Sequence, residues 1–340
     1  MTKVAINGLG RIGRAALKVL IETPDLELVA VNDVVPAHYL AYLLNFDSVY
    51  GKLSNRVSND EGSLYVNGKQ IRVLNVQDPS QLPWREMGID IVLECTGKFT
   101  RRDELEKHLH AGAQNVILSA PSKTDEIVTV VNGVNVPENE NDRIISCASS
   151  TTNCVAPIIE ILGRRIGVKK AMMTSMHALT SSQSLMDDTN KDMRRGRAAT
   201  DNFVPTSTGA ARATTKVLPQ FTNRFDGLAV RGPVSVGSLA DITFVMERHT
   251  SVEEINRIFC EEAGSERYIG ILGVNIEPIV SSDIIQDSRA SVVDLNLTQV
   301  VDGDLVKVMS WYDNEWGFAC QMIRVAKRVS QAKFVSLELI

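Results

Sequence analysis

The stretch "KVAINGLGRIGRAALKVLIE", residues 3–22, decides the fold class. A short apolar run meets a turn holding Gly8, Gly10 and Gly13, and the turn opens into a helical pattern. A GxGxxG alone is a weak signal. Between a strand and a helix it reads as a dinucleotide-binding fingerprint. Gly8 permits the tight turn, Gly10 lets the backbone approach a pyrophosphate, and Gly13 lets helix and strand pack closely. The helix start then turns its free N–H groups toward the negative charge. Asp33 ends the next run, "LELVAVND", twenty positions after Gly13. A carboxylate there can accept from both ribose hydroxyls of NAD and repels a 2′-phosphate. The competing reading, a glycine turn needed only for packing, accounts for the loop but not for the acid.

Outward from this loop, strands and helices alternate. "LELVAVND" is almost continuously apolar, as a parallel strand buried on both faces should be. "SLYVNGKQIRVL" reads as a hairpin on Asn67-Gly68. "IDIVLECTG", "NVILSAP", "IVTVVNG" and "RIISCAS" add four β-like runs, with the polar helix "DELEKHLHAGA" before the second. The texture changes near residue 150. A helix, "TNCVAPIIEILGRRI", leads to the strand "AMMTSMHAL" and then to a polar stretch over 180–210. A loop of that length is usually functional or at an interface. Longer strands follow, with a turn at Asp302-Gly303, and an amphipathic helix over 315–331 closes the pattern. The expected class is α/β: a Rossmann-type parallel sheet domain, then an α+β domain with a mostly antiparallel sheet.

Composition bounds the partners. The 340 residues carry a net charge of −5, so no basic field points to nucleic acid or an anionic membrane. The apolar runs are too short to span a bilayer. The N-terminus runs directly into a strand and shows no signal-peptide core. The five cysteines (95, 147, 154, 260 and 320) form no CxxC pair, which suits a reduced, metal-free protein of the cytoplasm.

Chemistry is expected around "RIISCASSTTNCVAP", residues 143–157, where a β-rich run breaks into small hydroxyl residues and opens a helix. Ser150 stands at the turn. A helix start there would lower the pKa of a thiol, but not enough for a serine hydroxyl. Of the five histidines, His108 and His110 lie in a charged helix and are expected to be solvated, and His38 and His249 sit beside polar loops. His177 ends an apolar strand. Alone it reads as a structural histidine; beside Ser150 at another strand end it reads as a base. Arg194, Arg195 and Arg197, Arg231, and "TSTGAA" with Thr208 and Gly209 supply the guanidinium forks, hydroxyls and N–H groups that a phosphate monoester needs.

Together these motifs resemble phosphorylating glyceraldehyde-3-phosphate dehydrogenase. "AINGLGRIGR", "ECTGKF", "SAPSK", "ASSTTNCVAP", "RRGRAA", "PTSTGAA" and "WYDNEWGF" fall in that family's order over nearly the whole chain. The relative acting on erythrose 4-phosphate shares them. The resemblance implies an NAD-binding domain over 1–149, a catalytic and tetramerisation domain over 150–314, and a C-terminal helix, 315–332, that returns to the first domain. It implies a homotetramer, a sugar-phosphate substrate and inorganic phosphate. His177 matches the general base and Asn314 the residue holding the nicotinamide carboxamide. Arg11 and Ile12 match pyrophosphate contacts, Asp33 the adenosine ribose contact, and Thr96 and Ser119 the lining of the cofactor cleft. Thr180 and Arg231 match the site for the substrate's phosphate; Ser149, Thr151, Thr208 and Gly209 match that for inorganic phosphate. Arg195 belongs to the same anion-binding region.

Two positions depart from the family. Its motif reads Ser-Cys-Thr-Thr-Asn-Cys, with the first cysteine as nucleophile, whereas Ser149 is followed here by Ser150. The family's hemithioacetal and thioester need a thiolate, so Ser150 reads as an inactivating, engineered thiol-to-hydroxyl replacement. The alternative is a non-catalytic, moonlighting NAD-binding protein. Cys154, one helical turn on, is expected to point away from the cleft. The second departure is Asp188-Thr189, where NAD-specific members commonly carry Leu-Pro; it implies room for some NADP use.

Overall fold

The computed structural model describes residues 1–53, 56–137, 139 and 142–331. They form two compact units, each with its own sheet. Among the described residues, 1–130, 136–148 and 322–331 belong to the first. Residues 131–135 and 149–321 belong to the second.

The first sheet begins at Val128–Thr129, Ile144–Ser146, Asn115–Leu118 and Ile91–Glu94. It continues through Thr2–Asn7, Leu26–Asn32, Lys69–Leu74, Ser63–Val66 and Ser58–Asn59. The pairs as far as Lys69–Leu74 are parallel; the last two are antiparallel. Val4, Ala5 and Ile6 are wholly buried, because a central parallel strand has both faces covered. The strand neighbours diverge on the two sides of Thr2–Asn7, as in a Rossmann-type sheet. The hairpin turns on Asn67 (φ 51°) and Gly68 (φ 75°), two left-handed residues that match the strand twist.

The second sheet runs Val204–Ser207, Phe225–Arg231, Val168–His177, Ser238–Met246, Leu305–Tyr312, Ser291–Asp294 and Leu272–Asn275. It is mostly antiparallel, with parallel pairing of Val168–His177 to Phe225–Arg231 and of Leu272–Asn275 to Ser291–Asp294. Helix Ser150–Arg165 packs on this sheet with Cys154, Val155, Ile158, Ile159 and Leu162 fully buried.

Three sequence readings change. His108 is not solvated: it is 0% exposed, accepts from Trp84 Nε1 at 3.0 Å and lies 3.1 Å from Glu94 Oε2. Its helix, Arg102–His110, is charged on its outer faces but sets this position against the sheet. The β-like run "IVTVVNG" ends at Thr129, and residues 131–135 join the second unit. There Asn132 donates to the Gln321 main chain, and the Tyr268 ring leaves no room for a Cβ at Gly133. The final helix spans Trp316–Ser330 and is divided between the units at Met322. The expected end at Ala332 lies outside the described residues.

Candidate active site

The glycine loop of the first unit is built for close backbone approach. Gly8 has φ +93°, and a Cβ on it would lie 2.7 Å from Thr96 N. A Cβ on Gly13 would lie 2.0 Å from Gly8 O, whereas one on Gly10 would meet nothing within 4 Å. Gly10 precedes helix Arg11–Leu20 and provides no side-chain cap, so the open side of the loop faces a helix start that suits a pyrophosphate. The Arg11 guanidinium pairs with Asp47 at 2.8 Å, which leaves the main chain of Arg11 and Ile12 as the natural anion contacts. Lys18, buried beside the same carboxylate, is held below its usual pKa by burial, with Asp47 opposing the shift.

Asp33 is tied into the loop through both oxygens. Oδ2 accepts from Leu9 N at 2.6 Å and Oδ1 from Val35 N at 3.0 Å. Each oxygen keeps a lone pair for a ribose hydroxyl. Thr96 donates both its N–H and its hydroxyl to Glu94 Oε1, so its side chain serves the strand end rather than facing outward. Ser119 is half-buried and donates its N–H to Glu94 O at 3.0 Å. Behind them a polar chain runs from Trp84 through His108 and Glu94 to Asn7 (2.6 Å) and Asn32 (2.7 Å).

In the second unit Ser149 is the N-cap of helix Ser150–Arg165, accepting from Thr152 N at 3.1 Å. Ser150 is the first helical residue, two positions before Thr152, where the sequence pattern began the helix. The preceding Ala148 holds φ 57°, an uncommon conformation for a residue with a Cβ. Ser150 is half-buried, and its hydroxyl makes no hydrogen bond among the described residues. Cys154 does point away: its Sγ lies 3.6 Å from Ser291 Oγ, and burial pushes its thiol up to about 12. Cys147 is raised to about 12 by the same cause.

Tyr312 joins the two strand ends. Its hydroxyl lies 2.9 Å from Thr151 Oγ1 and 2.8 Å from Ser175 Oγ, and its ring stands edge-on to the His177 ring with centroids 6.1 Å apart. No separate argument from the sequence pointed to Tyr312, although it lies within the quoted "WYDNEWGF". His177 Nδ1 lies 2.8 Å from Ala178 O, and Nε2 makes no hydrogen bond among the described residues. Burial, then the neighbouring Arg231 charge, push the His177 pKa down to about 3, so at neutral pH its ring is an uncharged base.

Arg231 pairs in register with His177 across parallel strands, and Nη1 reaches His177 Nδ1 at 2.5 Å and Ala178 O at 3.1 Å. It has no carboxylate partner among the described residues. Arg195 donates to Thr206 Oγ1 at 2.8 Å and to Ser207 O at 3.2 Å. Thr180 shares a bond of 2.9 Å with Ser182. Thr208 Oγ1 accepts from Ala210 N at 3.1 Å, and Gly209 precedes helix Ala210–Val217 with open space where a Cβ would stand. Asn314 Oδ1 accepts from Gly237 N at 3.2 Å and Ser238 Oγ at 3.0 Å. No group of three or more His, Cys, Asp or Glu suited to a metal occurs among the described residues.

Comparison with known proteins agrees with both units. Residues 2–102 match the family description "Glyceraldehyde 3-phosphate dehydrogenase, NAD binding domain", and residues 146–314 match its C-terminal domain. "Glyceraldehyde-3-phosphate dehydrogenase 1" of Bacillus cereus is 44% identical over 96% of this chain and 98% of its own length. The Thermotoga maritima protein of that name is 46% identical over 95% and 97%, and the Streptomyces coelicolor one 44% over 94% and 96%. With a dinucleotide loop on one sheet and a capped helix start beside a buried histidine on the other, the chain belongs to the glyceraldehyde-3-phosphate dehydrogenase family, with NAD as its cofactor.

Proposed function

We propose that this chain, given a thiol at position 150, oxidises glyceraldehyde 3-phosphate to 1,3-bisphosphoglycerate. We further propose that Ser150 leaves the chain as it stands a binder with very slow turnover. The observation that carries this reading is a half-buried Ser150 hydroxyl on a capped helix start, with no base hydrogen-bonded to it. A thiol there would gain from the helix field. A hydroxyl has no activating partner. NAD supplies the hydride acceptor when bound. The neutral Nε2 of His177 takes the proton of the adduct's hydroxyl as that bond becomes a carbonyl. Arg231 and Thr180 hold the substrate's phosphate, supported by a guanidinium that has no counter-charge of its own. Ser149, Thr151, Thr208 and Gly209 receive inorganic phosphate, with Arg195 beside them; Thr151 takes part through its main chain, since its hydroxyl faces Tyr312.

The same reading makes the protein a homotetramer of the cytoplasm. Leu185, Met186, Met193 and Phe203 stand 67%, 79%, 89% and 77% exposed on the long segment after His177, an apolar set that suits a covering subunit. That segment is ordered by its own bonds, including Ser184 N to Arg195 O at 3.0 Å and Asp188 N to Gly196 O at 2.8 Å. All five cysteines are free, as in a reducing compartment. Asp188 and Thr189 are exposed on this segment and present no apolar barrier, which supports some use of NADP. The test is NADH formation from glyceraldehyde 3-phosphate, NAD and phosphate before and after Ser150→Cys. Recovery of roughly 10⁴-fold in kcat is expected. A revertant no faster than the parent makes the chain a non-catalytic binder.

A further inference from the structure

We propose that Ser238 is a positioning residue that fixes which side of the Asn314 amide is offered to the cofactor. The inference rests on the reading of Asn314 as the residue that takes the nicotinamide carboxamide. Ser238 begins a strand lying between the two strands that carry the site: it pairs with Tyr312 on one side, and its neighbour Leu239 pairs with Met176 on the other. The hydroxyl of Ser238 therefore meets both the loop after Tyr312 and the peptide after His177.

The direction of each bond is forced. Ala178 N lies 3.1 Å from Ser238 Oγ, and a main-chain N–H can only donate. Ser238 accepts that bond and keeps one proton and one lone pair for Asn314, 3.0 Å away. Gly237 N, which also can only donate, meets the same Asn314 atom at 3.2 Å. That atom is therefore the carbonyl oxygen, and the Ser238 proton goes to it. The Asn314 NH₂ group then points away and has no partner among the described residues. It is a donor in want of an acceptor, and the carboxamide oxygen of a nicotinamide is such an acceptor.

Without the Ser238 proton, only the Gly237 N–H at 3.2 Å would oppose rotation of the amide. A rotated amide would set a carbonyl oxygen against the ligand's carbonyl oxygen. The strand start itself cannot drift to compensate, because Gly237 has φ +93° and a Cβ there would lie 2.0 Å from Ser281 O. Ser238 is 0% exposed and Asn314 6%, so water does not readily replace the missing donor. Ala178 also takes part on the catalytic side, since its carbonyl oxygen lies 2.8 Å from His177 Nδ1. One residue, Ala178, thus holds the base through its C=O and, through Ser238, the amide that orients the cofactor.

The experiment compares equilibrium binding of NAD and of ADP-ribose, which lacks the nicotinamide, to the full-length protein and its variants. Ser238→Ala is expected to weaken NAD about 3- to 10-fold, the worth of one hydrogen bond, and to leave ADP-ribose unchanged. Ser238→Thr, which keeps the hydroxyl, should retain the parent ratio of the two constants. Should Ser238→Ala fail to fold, Ser238→Cys, a near-isostere with a weak donor, should show the same selective loss. Asn314→Ala should collapse the ratio, and adding Ser238→Ala to it should change nothing more. Equal weakening of both ligands by Ser238→Ala, or an unchanged ratio, overturns the role of Ser238. An unchanged ratio in Asn314→Ala instead overturns the underlying reading of Asn314.

Discussion

Asp33→Asn separates the loop contact that the structure shows from the ribose contact proposed for the same side chain. The carboxylate accepts Leu9 N at 2.6 Å on one oxygen and Val35 N at 3.0 Å on the other. An asparagine has a single carbonyl oxygen, so its NH₂ must face one of these N–H groups, donor against donor. Leaving one buried main-chain donor unmet costs about 1–3 kcal/mol, and the glycine loop must shift to relieve it. The ribose hydroxyls of NAD also exchange a charged acceptor for a neutral one, a loss of about 1 kcal/mol. Together these give about 2–4 kcal/mol, or roughly 30- to 700-fold weaker NAD binding.

NADP should respond differently. A carboxylate about 5 Å from a phosphate dianion, at an effective dielectric of about 40, is repelled by about 3 kcal/mol. Removing that repulsion offsets the loop penalty, so NADP affinity should stay within a few-fold of the parent while NAD affinity falls. The assay is calorimetric binding of both dinucleotides at one ionic strength, because the repulsive part is screened by salt. Parallel losses for NAD and NADP would make Asp33 a loop strut with no part in selection. Unchanged NAD binding would remove it from the site altogether.

The buried, neutral His177 predicts acid sensitivity. With a folded pKa of about 3 against about 6.5 unfolded, its contribution is complete above pH 6.5 and falls as pH drops below that value, by about 2 kcal/mol at pH 5. His177→Asn should therefore lose about 2 kcal/mol less than the parent between pH 7 and pH 5 in urea unfolding, and identical losses would contradict the depressed pKa. His108→Leu should destabilise the first unit by about 1–3 kcal/mol, because it leaves the Trp84 N–H buried without an acceptor, while Glu94 keeps its bonds from Asn7 and Thr96; Trp84 fluorescence during unfolding reads this directly. Ala148→Gly should raise the unfolding free energy by about 1 kcal/mol, since φ 57° penalises a Cβ. No gain would mean that backbone freedom in the unfolded chain cancels the relief.

What the sequence made legible was local. The glycine loop, the acid after the second strand and the Asn67-Gly68 turn are each specified within a few residues by backbone geometry. His108 was not legible, because its inward position lies among Arg102, Asp103, Glu104, Glu106 and Lys107, and its partners come from another strand and another helix. Tyr312 and Ser238 escaped for the same reason: the bonds that give them meaning span 161 and 76 residues of chain. Residues 131–135 misled because an apolar run reads alike whether it continues a strand or turns away to pack elsewhere.

The turn at Ser150 shows how far a local reading reaches. Strand, turn and capped helix start mark the proposed reactive position without any long-range contact, and they specify an environment that favours an anion there. The helix field contributes about 0.3–2 kcal/mol, or at most about 1.5 pKa units. A thiol beginning near 8.5 is brought by that amount into the range where a large fraction ionises at neutral pH. A serine hydroxyl is not, and activation would require a hydrogen-bonded base. His177 does not supply it here: Nδ1 faces Ala178 O and Arg231, and Nε2 makes no hydrogen bond to Ser150. On the proposed reading, a helix start of this strength suits sulfur rather than oxygen, and the activity of Ser150→Cys against that of the parent decides whether one atom separates turnover from binding.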